Sequence, residues 1–166
     1  MEIKNLSKNF IVRRLSEENL DEMLALCQKN PLFFKHCPPP PTKESLKEDL
    51  YALPPNKTMA DKFFVGLYDC ENLVAICDII KGYPNEKTIL IGLLMLDIGL
   101  QGQGLGSKIA LEMFEHFKEQ GYENVELSYI KGNPQSKAFW HKMGFNETGR
   151  EVETDDYTKV CMIKHL

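Results

Sequence analysis

The stretch that most constrains how this chain can fold runs from Thr88 to Gln120. From Thr88 to Asp97 nearly every residue is apolar, which predicts a strand buried on both faces. Further on, Ile109, Met113, Phe114 and Phe117 recur with helical spacing. Between strand and helix lies Gln101-Gly102-Gln103-Gly104-Leu105-Gly106, with three glycines in five residues. Glycine reaches positive φ without a Cβ penalty and lets main-chain amides come close to a ligand. The first amides of a helix have no intrahelical partner, and the helix dipole adds positive character there. A strand, a glycine turn and a helix start, in that order, make a place to hold a phosphate.

Several folds hold phosphates this way, and spacing separates them. The dinucleotide pattern G-x-G-x-x-G is not met, because Gly102, Gly104 and Gly106 are spaced two and two. No acidic residue closes a second parallel strand about twenty residues on. A P-loop needs Gly-Lys followed by Ser or Thr, whereas the order here is Gly106-Ser107-Lys108. The pattern Gln/Arg-x-x-Gly-x-Gly/Ala is met by Gln101, Gly104 and Gly106. It resembles the acyl-coenzyme A pyrophosphate loop of the GNAT N-acetyltransferase superfamily. Taken alone, the block also reads as a plain strand-to-helix turn with glycines for packing.

A second block lies about thirty residues downstream, after a strand predicted at Asn124 to Ile130: Asn133-Pro-Gln-Ser-Lys-Ala-Phe-Trp-His-Lys-Met-Gly-Phe145. Asn133 is a good N-cap and Pro134 suits the first helical position. Gly144 ends the helix and Phe145 opens the next strand. The block is similar to the family's second acetyl-coenzyme A motif, an Asn opening a short helix that ends in aromatic-x-Lys-apolar-Gly-Phe. The resemblance is specific from about Thr88 to Phe145 and topological over the rest.

At 166 residues the chain reads as a single domain, 1–166, with room for a sizeable core. Its 43% apolar content is that of an ordinary soluble globule. No run approaches about eighteen apolar residues and no basic-then-apolar leader opens the chain, so neither a membrane span nor a secretory signal is expected. A net charge of −4 without a basic cluster argues against nucleic acid as a partner. Cys27, Cys37, Cys70, Cys77 and Cys161 are odd in number and scattered without C-x-x-C pairs. That pattern points to reduced thiols in a cytoplasm rather than to disulfides or a metal site.

Along the chain, Phe10 to Leu15 reads as an opening strand. Ser16 caps a helix with Glu17 and Glu18 in its first turn and an apolar stripe of Leu20, Met23, Leu24 and Cys27, ended by Pro31. Phe33 to Pro41, with its prolines, reads as a stiff extended link. Thr42 caps a second helix through Leu53, with Leu46, Leu50 and Leu53 on one side. Lys62 to Tyr68 and Leu73 to Lys81 form a hairpin, and Glu147 to Thr154 and Tyr157 to Lys164 form a last one.

The resemblance implies a mixed α/β fold: a seven-stranded mixed sheet with helices on both faces. Its parallel fourth and fifth strands splay apart and leave a cleft for acetyl-coenzyme A as co-substrate, with no metal. The pantetheine arm would pair with the main chain at Leu94, Met95 and Leu96. The pyrophosphate would sit on the amides of Gly102, Gln103, Gly104, Leu105, Gly106 and Ser107, with Gln101 and Lys108 near its charge. Asn133 would reach the pantetheine amides, while Ser136, Phe139 and Trp140 would line the far wall. The first two helices and their link would overlie the acceptor. They offer Phe33, Phe34, His36 and Tyr51 and a rim of Glu44, Glu48 and Asp49, for which a solvated helix face is the plainer reading.

The reaction so implied is direct attack of a primary amine on the thioester carbonyl, which main-chain amides at the splay would polarise. A lysine-like amine of pKa about 10.4 is neutral roughly once in 10³ at neutral pH, an entry cost of about 4–5 kcal/mol. Two positions depart from the family pattern. Trp140 stands where the family usually has the Tyr that protonates the leaving thiolate, and an indole N–H is no acid at neutral pH. A thiol pKa of about 8.5 nevertheless lets solvent protonate it. Ser128 stands where members that acetylate protein N-termini often carry a Glu base. Asp78, Tyr129 or a water chain remain as base candidates. The expected function is acetylation of a small-molecule or amino-acid-like amine. A protein or peptide acetyltransferase and a non-catalytic acyl-coenzyme A binder are the alternatives, and homodimers are frequent among the relatives.

Overall fold

The computed structural model describes residues 1–166. β-rich runs separated by polar turns give β1 (Ile11–Arg14), β2 (Lys62–Asp69), β3 (Asn72–Lys81), β4 (Thr88–Leu96), β5 (Asn124–Ile130), β6 (Asn146–Glu153) and β7 (Thr158–His165). They form one sheet in the order β1-β2-β3-β4-β5-β7-β6. Every neighbouring pair is antiparallel except β4 and β5. A parallel pair needs a crossover, and α4 (Leu105–Glu119) supplies it.

Helices cover both faces. On one, Ile109, Met113, Phe114 and Phe117 of α4 pack into a core with Val65, Leu67, Ala75 and Ile79, joined by Trp140 of α5 (Pro134–Lys142). On the other, α1 (Leu20–Gln28) and α3 (Lys43–Tyr51) lay Met23, Leu26, Leu46 and Leu50 on Phe64, Tyr68 and Ile76. No helix is long and apolar enough to cross a membrane.

Local chemistry sets the helix ends, with some departures from the sequence reading. Ser16 accepts from the Glu18 amide within a 3₁₀ turn over Glu17–Asn19, and α1 proper begins at Leu20. Leu26 joins Met23 and Cys27 in the core, while Leu20 and Leu24 are only half-buried. Pro31 does not end a helix but begins one, α2 (Pro31–His36). At the first helical position proline forgoes only an N–H that would be unpaired anyway. The extended link therefore shrinks to Cys37–Pro41, where successive prolines stop α2. Thr42 caps α3 by accepting from the Ser45 amide at 3.1 Å. This helix ends at Tyr51 rather than Leu53, because Ala52 is already extended ahead of Pro54.

The expected burial of β4 on both faces holds in part: Thr88, Ile89, Ile91 and Met95 are buried and Leu90 is half-buried. Its pairing with β5 matches Thr88–Ile91 to Asn124–Leu127 and stops there. On the other edge β3 pairs Asp78 with Leu93 and Ile79 with Ile91, so Gly92 is the extra residue of a bulge. The bulge switches side-chain parity. Ile89 and Ile91 face the α4 core, and beyond Gly92 it is Leu94 and Leu96 that continue there, while Leu93 and Met95 turn toward α1 and α3. With the β5 edge uncovered, Gly92, Leu93, Leu94 and Leu96 keep contact with solvent.

Candidate active site

Where β4 and β5 part, a cleft of about 580 Å³ opens. All the sequence-expected cofactor residues line it except Gln103 and Leu105, whose side chains point elsewhere or into the core. At one end lies the start of α4. Gly102 and Gly104 adopt φ of +76° and +80°, the left-handed region that glycine tolerates. The first intrahelical bond is donated by the Lys108 amide to Gly104 O, so the amides of Leu105, Gly106 and Ser107 have no helical acceptor. A Cβ added at Gly102 or Gly104 would meet no protein atom within 4 Å, which leaves the space over this loop open. These features fit an anionic diphosphate.

The loop is held from three sides. The Gln101 side-chain amide donates to Asn30 Oδ1 at 2.8 Å and to Leu96 O at 2.9 Å, and its carbonyl accepts from Gln135 at 3.2 Å. Asn30, 4% exposed, donates in turn to Leu26 O and Leu96 O. Gln101 thus ties the loop to β4, to the α1–α2 junction and to α5. Lys108 turns away to donate to Asn9 at 3.1 Å, and Gln103 donates to Gly99 O at 3.2 Å. On β4, the Asp97 amide donates across to Val74 O of β3, so alternation sends the main-chain groups of Leu94 and Leu96 to the open side and those of Met95 toward β3. Asn133 is buried, and its carbonyl oxygen accepts from the Ser136 amide at 3.1 Å, leaving its NH₂ group for a ligand. Trp140, 6% exposed, stacks edge-on against Phe139 at 4.8 Å and Phe145 at 5.3 Å between centroids, making a rigid wall.

Charge gathers at the other end. The Asp78 carboxylate borders the cleft beside Gly92, where any Cβ would come within 2.7 Å of its Oδ2. The bulge position therefore has to be glycine for the carboxylate to lie there. Lys62, 1% exposed, donates to Asp78 Oδ2 and to Ala52 O, each at 2.9 Å. Ala52 caps the C-terminus of α3, where the helix dipole favours a cation. Asp78 Oδ1 lies 2.8 Å from the ammonium but has no aligned donor. Burial raises the Asp78 pKa above the usual carboxylate value, against the pull of Lys62. Tyr129 also borders the cleft, donating its hydroxyl to Glu147 at 2.8 Å. Burial and that carboxylate raise its pKa, so it keeps its proton at neutral pH.

From the acceptor rim, Phe33, Phe34 and Asp49 line the cleft, whereas His36, Glu44, Glu48 and Tyr51 do not. Tyr51 donates to Glu17 at 2.9 Å on the outer surface. Asp49 is exposed at the rim of the cleft, and its partial desolvation there raises its pKa. Sequence reasoning missed Asn30, Lys62, Gly92, Tyr157 and Lys159. One signal was available: in the β2–β3 hairpin Phe64 pairs with Asp78, which puts Lys62 and Asp78 on one face as diagonal neighbours.

Residues 25–145 match the Acetyltransferase (GNAT) family. An uncharacterized N-acetyltransferase of Methanocaldococcus jannaschii is 25% identical over 154 residues, 89% of this chain, and the chain spans 65% of that protein's length. Among solved structures, an acetyltransferase from Thermus thermophilus superposes with a TM-score of 0.75 at 23% identity, covering 100% of both chains. PaiA N-acetyltransferase from Thermoplasma acidophilum, solved in complex with coenzyme A, gives a TM-score of 0.66 at 18% identity over 93% of this chain and 98% of that one. Those structures share the fold, and the family match spans most of the sequence: the chain belongs to the GNAT acetyltransferase family.

Proposed function

We propose that the protein acetylates the primary amine of a small molecule, with acetyl-coenzyme A as donor. The observation that carries this is the joining, in one cleft, of the uncovered β4 edge and unpartnered α4 amides at one end to the Asp78 carboxylate at the other. When bound, acetyl-coenzyme A supplies an acetyl thioester, which ends as an N–C bond to the amine and a free thiol. The α4 amides and the loop that Gln101 anchors hold the diphosphate, and the Leu94 main chain with the Leu96 amide guides the arm toward the bulge, the Leu96 carbonyl being taken by Gln101 and Asn30. Main-chain N–H groups at the bulge face developing negative charge on the carbonyl oxygen. Asp78 receives the proton that the amine must lose, and Lys62 holds it ionised against the burial that opposes charge. Trp140 keeps the wall dry and rigid, while solvent returns a proton to sulfur.

The acceptor end is roofed by α2, Cys37–Pro41 and α3, an enclosure suited to a small molecule. The thiols of all five cysteines are unpaired, which supports a reducing cytoplasmic setting. Titration calorimetry should show acetyl-coenzyme A binding, and a panel of amines and amino acids should release coenzyme A above hydrolysis. Binding without release on any acceptor, peptides included, would favour a non-catalytic binder.

A further inference from the structure

The acceptor end holds more charge than amine capture requires. Lys62 and Asp78 neutralise each other's charge. Asp49 and Lys159 also line the cleft, and neither makes a side-chain hydrogen bond or ion pair within the chain. Their neighbours behave differently: Lys43 and Lys47 of α3 pair with Asp21 and Glu17 on the outer surface. Asp49 comes from the last turn of α3 and Lys159 from β7, so the two meet only because the fold brings those elements to one cavity. Lys62 and Lys159 both pull the Asp49 pKa down against the desolvation that raises it. The Lys159 ammonium stands 5.8 Å from the centre of the Tyr157 ring, and Phe33, Phe34 and Phe64 add apolar surface nearby. Lys142, the other unpaired cation of the lining, stands on α5 with Ser136 and Phe139, on the cofactor side.

An unpaired cation and an unpaired carboxylate lining one partly apolar cavity suit a ligand carrying both opposite charges. We propose that the acceptor is a zwitterion, an amino acid whose carboxylate is held by Lys159 while Asp49 draws its ammonium into the cleft. This rests on the transfer reading above and narrows its substrate. The aromatic lining takes the amino-acid side chain, and the amine reaches Asp78 beneath the bulge.

The test compares amino acids with their own decarboxylated amines: phenylalanine with phenethylamine, methionine with 3-(methylthio)propylamine, lysine with cadaverine. For the pair that is turned over best, kcat/KM should favour the amino acid by about tenfold or more, because a site built to bond a group rejects the analogue that lacks it. Lys159→Met should bring the ratio close to one, and Lys159→Arg should keep it. A wild-type ratio at or below one, or a ratio that survives Lys159→Met, would overturn the proposal. If the wider panel of amines, amino acids and peptides also releases no coenzyme A, the transfer reading fails by itself and binding decides this one. An amino acid that raises the melting temperature of the coenzyme A complex more than its amine, and no longer does so in Lys159→Met, supports it; equal shifts sink it.

Discussion

Lys62 carries an ammonium at 1% exposure, and it is tolerated because Asp78 and the Ala52 carbonyl surround it. Breaking such a pair strands a buried charge and costs about 3–5 kcal/mol. Asp78→Asn should therefore lower unfolding stability by about 3 kcal/mol in urea titrations, and adding Lys62→Met should recover part of the loss. The same carboxylate should set the acid limb of turnover. Burial raises its pKa above the usual carboxylate value, so kcat/KM should fall as pH drops through that raised value. In Asp78→Asn the remaining rate should lack this limb; an unchanged profile would remove Asp78 as proton acceptor. At Trp140 packing and chemistry can be separated. Because solvent can protonate a thiol of pKa about 8.5, Trp140→Tyr should change kcat less than about threefold. Trp140→Ala should destabilise by about 3–5 kcal/mol, since the indole is wedged between Phe139 and Phe145. A large rise in kcat for the tyrosine variant would mean that thiol protonation limits turnover. From the sequence, Trp140 was readable as a departure from a motif, but its burial depends on two rings that flank it in space.

Two elements, the glycine loop leading into α4 and the bulge in β4, divide the work of the cleft. Gly104 adopts a left-handed conformation whose cost to an alanine is about 1–2 kcal/mol, and its missing Cβ borders open space. Gly104→Ala should thus be mildly destabilised yet bind coenzyme A about tenfold more weakly by calorimetry, because the added methyl stands over the anion cradle. Gly92 is constrained by space rather than by φ: a Cβ there meets the Asp78 carboxylate at 2.7 Å. The loop, the caps at Ser16, Thr42 and Asn133, and the α4 stripe were legible because each depends on residues within one turn of one another. α2 was not, since Pro31 is equally suited to following a helix and to starting one. The bulge was not either, because it is defined by which β3 residue sits across from which β4 residue.

At the scale of the molecule, the sheet is one continuous layer whose single parallel contact is abandoned half-way, and the cleft is the result. Behind it, α4 is bound to the N-terminal segment through Glu112, which accepts from the Ser7 hydroxyl at 2.8 Å and the Lys8 amide at 2.9 Å. On the same helix His116 is 3% exposed with Nε2 unpartnered, and burial lowers its pKa below the ordinary 6.5. The unfolded chain then binds more protons than the folded one below that ordinary value, so stability rises with pH across this window. His116 contributes fully above pH 6.5 and its contribution is lost as pH falls through the lower folded value. The drop in melting temperature between about pH 7.5 and 5.5 should accordingly be smaller in His116→Phe than in the unaltered protein. Equal drops would show that the imidazole does not titrate there.

The order of the strands, the helices α4 and α5, the glycine turn before α4 and the family itself were determined by sequence alone, because periodicity, glycine spacing and caps act between near neighbours along the chain. Only the tertiary structure decided where β4 leaves β5, that Lys62 neutralises Asp78, and that Asp49 and Lys159 face one cavity. Those are meetings of side chains far apart in sequence, and their energies depend on burial and distance that no local pattern encodes.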